Sequence, residues 1–372
     1  MRTWKSRLVA GSVALVLGGC CLTALPVAAR PDGGHAGDRA AVQAIVDGFT
    51  ARGVPGAMVF AHDRQGRWTV NSGTGELGSD RPIRPWHRVR VASNTKMFVA
   101  AVMLQLVGEG KVVLDAPVER YLPGLVRGNG YDGARITVRQ LLQHTSGMAD
   151  YINDVLSDPD ANNHPWRPEE LVKIGLSHPP LFAPGTGWAY SNTGYIVLGM
   201  LVETVTGNDV GAEITGRLIR PLGLWQTTYP QAGDKRIRGP HAHGYYAFPG
   251  QPVVDVTELE PSLPGAAAAL ISTGPDLTRF ARALLAGTVL RPDLLAQMRT
   301  TVPAEGPDYG LGIREFPLPC GGMAWGHAGN MPGFDSFTAA TDDGRSAFAV
   351  ANGRLTDGST ANLRSAVESA LC

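Results

Sequence analysis

Apolar residues follow distinct spacings along the chain, and each spacing predicts a different element. Between residues 38 and 53, Val42, Ile45, Val46 and Phe49 recur three and four apart, the stripe of an amphipathic helix. Residues 56–61 and 68–70 then pattern as a hairpin with its turn at 63–66. Over residues 99–107 the apolar positions run almost all the way round, and Gly108 and Gly110 close the run, which predicts a buried helix. Residues 136–147 predict a short helix with Thr137 as its cap and Gly147 as its stop, and residues 195–205 another apolar helix. Between these two, residues 150–185 are rich in Pro, Asp and Asn and predict long loops around one short helix near 169–176.

From Gly265 onwards the pattern changes. Residues 266–271 lead into Ser272-Thr273, which cap a helix running to Leu285, and residues 293–299 form a further helix. Alternating segments follow at 309–314, 323–327, 335–340 and 347–351, separated by turns such as Asp343-Gly344, the signature of an antiparallel sheet. A last helix runs from near Ser359 to Leu371. The two ends of the chain are therefore α+β and the middle is helical. This gives a sheet domain built from residues 36–96 and 265–372, with a mainly helical domain, 97–264, inserted between them.

Composition narrows the class. The chain has 372 residues, 44% of them apolar, with 33 basic residues balanced by 33 acidic ones, an ordinary globular make-up with no basic excess to suit nucleic acid. At the N-terminus Arg2, Lys5 and Arg7 precede an apolar stretch and then Pro26-Val27-Ala28-Ala29, the pattern of a signal peptide over residues 1–29, cut after Ala29, and hence of a secreted, extracellular protein. A lipoprotein signal, Leu17-Gly18-Gly19-Cys20 with Cys20 acylated, competes with it. That cut would leave Cys21 as an odd thiol, whereas cutting after Ala29 leaves only Cys320 and Cys372, which pair as a disulfide in an oxidising compartment. No other stretch is long and apolar enough to span a membrane.

The candidate chemistry sits at the head of the 99–107 run. Ser93 and Lys96 are three apart and share one helix face, with Ser93 where backbone N–H groups and the helix dipole favour developing negative charge. The chain uses arginine for positive charge; of its 33 basic residues only Lys5, Lys96, Lys111, Lys173 and Lys235 are lysines. A buried lysine can lose its proton and act as a base, which arginine cannot. Three other signals carry less. Gly73 to Gly78 match G-x-G-x-x-G, but Pro82 and Pro85 follow where a helix should open, so a loop is expected. His241 and His243 have no third ligand nearby and are expected in a metal-free loop, and His144, at a helix end, is expected to be structural.

Three pieces line up in chain order: Ser93-x-x-Lys96, Tyr190-Ser191-Asn192 and His327-Ala328-Gly329. Together they resemble the motifs of the serine penicillin-recognising enzymes. Within that superfamily the chain looks closest to secreted actinomycete D-alanyl-D-alanine carboxypeptidases and their class C β-lactamase relatives. Supporting phrases are Pro184-Gly185 before Tyr190 and Tyr309-Gly-Leu-Gly312 before the third motif. The resemblance implies a β-lactamase/transpeptidase-like fold, a five-stranded antiparallel sheet flanked by helices beside an α domain, with the active site between them. It implies Ser93 as the acylated nucleophile, Lys96 or Tyr190 as its base, and Tyr190 as proton donor to the leaving amine. Asn192 would bind the acyl-side amide, and the backbone N–H groups of Ser93 and Asn330 would form the oxyanion hole. Ala328 stands where the relatives carry threonine, removing a hydroxyl expected to hold a substrate carboxylate; Arg314 and Asn330 are left to that task.

The implied activity is hydrolysis of the terminal D-alanine of peptidoglycan stem peptides, with β-lactams as covalent inhibitors or substrates, no cofactor, no metal and a monomeric enzyme. An esterase, β-lactamase or D-amino-acid amidase on the same fold is the alternative, and a non-catalytic penicillin-fold binding module the third.

Overall fold

A computed structural model describes residues 34–247, 252–353 and 362–372. The 1–29 segment with Cys20, and Ser359, lie outside the described residues. Chain order begins with helix α1 (Gly34–Thr50) and the hairpin β1 (Gly56–Asp63) and β2 (Gly66–Gly73). Asp63 fixes the turn, its Oδ1 accepting the N–H groups of Gln65 at 2.8 Å and Gly66 at 3.0 Å. Helices α2 (Thr95–Gly108), α3 (Val138–Gln143), α4 (Pro168–Ser177) and α5 (Asn192–Thr206) follow, then α6 (Gly274–Leu285), capped by the Thr273 side chain. The chain closes with β3 (Arg314–Pro317), β4 (Met323–Met331), β5 (Phe334–Thr341), β6 (Ser346–Ala351) and α7 (Leu363–Leu371).

These six strands form one antiparallel sheet in the order β2-β1-β6-β5-β4-β3. It has one strand more than the five the resemblance implies. The extra edge strand is the four-residue β3, which pairs with β4 from Gly326↔Arg314 to Met323↔Pro317. Residues 309–314, expected as a strand, instead make a turn through Gly310 and Gly312 with isolated bridges at Tyr309, and pairing with β4 begins at Arg314.

Both faces of the sheet are covered, so its central strands are buried on both sides: every residue of β5 and of β6 is buried. Alternation sorts the faces. Ala57, Val59 and Ala61 of β1 pack with Val42, Val46 and Phe49 of α1 and with Leu363 and Val367 of α7. Met58 and Phe60 point the other way, into a larger core that holds Phe280 of α6 and residues 97–104 and 106 of α2. Helix α2 is buried on every side, as its sequence predicts, and Phe98 stacks on Phe280 with ring centroids 3.7 Å apart.

Cys320 and Cys372 are bonded, with Cα atoms 5.6 Å apart. The bridge ties the β3–β4 turn to the end of α7 and closes a loop with a sequence separation of 52. A cross-link of this span contributes about 2–4 kcal/mol, mainly by restricting the unfolded chain. Both thiols are expected to resist alkylation until reduced, and reduction is expected to lower Tm by several degrees; free labelling of the native protein would contradict the bridge.

Candidate active site

Ser93 lies on a strained turn. Ala92 holds φ at 47°, a conformation that costs a non-glycine residue about 1–3 kcal/mol, and it starts a 3₁₀ turn, Ala92–Asn94, that runs directly into α2. The two residues between Ser93 and Lys96 enforce this shape, and both are 0% exposed. Asn94 Nδ2 donates to the Val91 carbonyl at 3.0 Å and to Ser336 Oγ on β5 at 2.9 Å. Thr95 Oγ1 donates to the Ala92 carbonyl at 2.7 Å and accepts from the Leu270 N–H at 3.1 Å. Gly329 on β4 completes the fit: a Cβ there would lie 2.2 Å from the Val91 carbonyl oxygen, so only glycine lets the strand approach the serine turn this closely.

Lys96 is fully buried, and its ammonium group has three contacts: Asn192 Oδ1 at 2.7 Å, the Ala267 carbonyl at 3.0 Å and Ser93 Oγ at 3.2 Å. The first two partners are carbonyl oxygens and can only accept. They commit two N–H bonds, and the third tetrahedral position of the amine faces Ser93. When the lysine is neutral, its lone pair therefore points at the serine hydroxyl. Burial lowers the Lys96 pKa to about 7, opposed by the negative charge of Asp150. Near neutral pH the amine form is thus well populated.

Asn192, at the first turn of α5, is oriented by its two ends. Its Oδ1 accepts from Lys96, and its Nδ2 donates to Asp150 Oδ2 at 2.8 Å. Tyr190 lies beside them with its ring centroid 4.7 Å from Lys96 Nζ. Its hydroxyl is buried and has no hydrogen-bond partner of good geometry among the described residues. Burial raises the Tyr190 pKa, an effect that Ser93 only partly offsets. A phenolate is therefore disfavoured here, and between the two candidate bases the surroundings favour Lys96.

The third motif is joined to the helical side by a directional chain of hydrogen bonds. The Ser191 N–H donates to His144 Nδ1 at 3.2 Å, so the proton of His144 sits on Nε2, which donates to Tyr309 Oη at 3.1 Å. The Tyr309 hydroxyl then donates to His327 Nε2 at 2.8 Å, and His327 Nδ1–H donates to the Ala328 carbonyl. Each tautomer follows from its partners. Both histidines are neutral in this arrangement: burial, reinforced by the charge of Lys96, lowers His144 well below its ordinary value and His327 to about 3. His144 is structural, as expected, but it is also the residue that stops α3. It adopts the left-handed conformation at φ 62°, so the helix ends there and not at Gly147. Tyr309→Phe would orphan one buried group on each histidine, at a cost of about 1–3 kcal/mol per group. The expected result is a lower urea midpoint; an unchanged one would contradict the chain.

Arg314 is no plain surface residue. Its Nη1 donates to the carbonyls of Glu305 at 2.9 Å and Pro307 at 2.6 Å, and its guanidinium lies over the rings of Tyr309 and Trp188 at 4.9 and 5.2 Å. It lines the cavity that holds Ser93, Tyr190, Asn192 and His327, about 410 Å³ in volume. Ala328 and Asn330 line the same cavity. Asn330 is drawn to the neighbouring strand, its Nδ2 donating to Asp335 Oδ1, so its amide is already engaged on the sheet. Asp150 also lines the cavity. The sequence does not single it out, because it sits in a loop without periodicity; only the fold brings it to Asn192.

A serine on a strained turn, a buried lysine aimed at it and a tyrosine beside both, set between an antiparallel sheet and a helical layer, are the arrangement of a serine hydrolase of the β-lactamase/transpeptidase-like class. Residues 41–370 match the Beta-lactamase family, and the chain belongs to it. It is similar to the solved structure of a D-stereospecific amidohydrolase from Streptomyces sp., at 39% identity over 90% of this chain and 98% of that one, with a TM-score of 0.82. D-amino acid amidase from Ochrobactrum anthropi SV3 is 28% identical over 90% of this chain and 97% of that one, with a TM-score of 0.78. Esterase EstB from Burkholderia gladioli is 30% identical over 298 residues, 70% of this chain and 74% of that protein. The match spans only 41% of the length of other, longer curated relatives.

Proposed function

We propose that this enzyme hydrolyses amides and esters of D-configured acyl donors with apolar side chains, through an acyl-Ser93 intermediate. The observation that carries the proposal is the orientation of Lys96: two carbonyl acceptors leave its third position for Ser93 Oγ, 3.2 Å away. Ser93 Oγ attacks the carbonyl carbon while Lys96 Nζ takes its proton. The backbone N–H groups of Ser93 and Asn330 receive the oxyanion. As the bond to the leaving nitrogen breaks, the proton from Lys96 passes to that nitrogen by way of the Tyr190 hydroxyl. Water then attacks the ester carbon, its proton goes to Lys96, and Ser93 Oγ leaves with a proton.

Substrate preference rests on the cavity and on the relatives. Tyr151, Ile152, Leu156, Leu259 and Leu263 line the cavity and suit an apolar side chain. The two similar structures named as D-stereospecific amidohydrolase and D-amino acid amidase supply the configuration and the amide bond. The test is ammonia release from D- and L-phenylalanine amide. Turnover of the D amide in preference to the L amide is expected; preference for L, or no turnover of either, would refute the reading.

A second reading, the DD-carboxypeptidase, is favoured by one observation, the Arg314 guanidinium in the cavity lining, which suits a terminal carboxylate. Ala328 weighs against it, having no hydroxyl to share that load. Release of D-alanine from an acylated Lys-D-Ala-D-Ala peptide decides between them. We place the enzyme outside the cytoplasm on the strength of the signal pattern at residues 1–29 and of the Cys320–Cys372 disulfide.

A further inference from the structure

Asp150 is the one carboxylate among the residues that line the catalytic cavity. Its Oδ1 accepts the Ile152 N–H at 3.1 Å and its Oδ2 accepts Asn192 Nδ2 at 2.8 Å. The Asn192 backbone N–H bonds it as well, so of the about four acceptor positions of a carboxylate one is left for a ligand in the cavity that Asp150 lines. The cation that acts on it, Lys96, reaches it only through the Asn192 side chain, which bonds one residue at each end. When Lys96 is the neutral base, the Asp150 charge has no ion-pair partner among the described residues. The next residues of its own segment, Tyr151 and Ile152, begin the apolar wall of the same cavity. An α-amino acyl group presents the matching pair, since its ammonium and its side chain diverge from one carbon. That nitrogen sits only ~2.5 Å from the carbonyl carbon that Ser93 attacks.

We infer that Asp150 receives the α-ammonium group of the acyl donor, making the enzyme selective for substrates whose acyl residue has a free amino terminus. This rests on the proposed hydrolase reading and deepens it. An ammonium entering beside Asp150 restores the charge that Lys96 gives up as base. An N-acylated donor instead covers the carboxylate with apolar groups and supplies no countercharge.

The test uses D-phenylalanine methyl ester and N-acetyl-D-phenylalanine methyl ester with the full-length enzyme. The wild type is expected to favour the free amine by about 10- to 100-fold in kcat/KM, mainly through KM. Asp150→Asn should lose at least about tenfold more on the free amine than on the acetylated ester, and Asp150→Glu should recover part of that difference. Equal turnover of the two esters by the wild type would overturn the inference without any variant. Equal losses on both esters in Asp150→Asn would also overturn it, because Asp150 would then act only through Asn192 and Lys96. If the esters are cleaved and neither phenylalanine amide is, the amidase reading fails while the ester pair still decides the role of Asp150. Cleavage of neither ester refutes both.

Discussion

Ser93→Ala is expected to lower turnover of any ester or amide substrate by about 10⁴-fold or more, with the fold intact. The size follows from what is removed. In the proposed reaction Ser93 Oγ is the atom that bonds to the acyl carbon, and among the described residues it is the hydroxyl hydrogen-bonded to Lys96. The fold should survive because the strained turn does not depend on Ser93. Asn94 and Thr95 hold it, through Ser336, Val91, Ala92 and Leu270. Equal thermal melts for wild type and variant, beside a lost progress curve, are the predicted outcome. Activity within tenfold of wild type would remove Ser93 from the chemistry.

Lys96→Arg is expected to lower kcat/KM by about 10³-fold or more, although it keeps the positive charge. Arginine cannot lose its proton, and its guanidinium has no lone pair to turn towards Ser93. The same role fixes the pH dependence. Below about 7 the ammonium form of Lys96 predominates and its third N–H points at Ser93; above about 7 that position holds a lone pair. In the wild type, kcat/KM for a neutral ester should therefore rise through about 7 with unit slope and then level off. The Asp150 charge opposes the effect of burial and holds the Lys96 pKa up. Removing that charge in Asp150→Asn should move the rise to lower pH. A rise only above pH ~10 would instead indicate a tyrosine phenolate as base.

The readable parts of the site are those set by short spacing at element ends. Ser93 and Lys96 announce themselves by a three-residue step at the head of an apolar helix, and Tyr190 and Asn192 by their place before the next one. The buried α2, the β1–β2 hairpin and the Thr273 cap follow from local pattern in the same way. What was not legible depends on partners distant in the chain. His144 and Tyr309 meet across a separation of 165 residues, and Tyr309 with Trp188 and Tyr190 makes the setting in which His144 takes the left-handed conformation that local preference would assign to Gly147. Asp150 is one of 33 acidic residues, in a stretch whose Pro, Asp and Asn content marks only a loop. Asn94 and Thr95 pass in sequence for spacers between Ser93 and Lys96, yet they carry the hydrogen bonds that fix the turn. Strand β3 is too short, and too close to the turns around Gly310 and Gly312, to leave a period of two.

The central claim is that the reaction passes through an ester on Ser93. The most direct test is mass spectrometry of the intact enzyme quenched during turnover of a D-phenylalanine ester, followed by peptide mapping. The account predicts one added acyl group per chain, on the peptide that contains Ser93, absent from Ser93→Ala and removed by time. An adduct on any other residue, or full turnover with no adduct at any quench time, would contradict it.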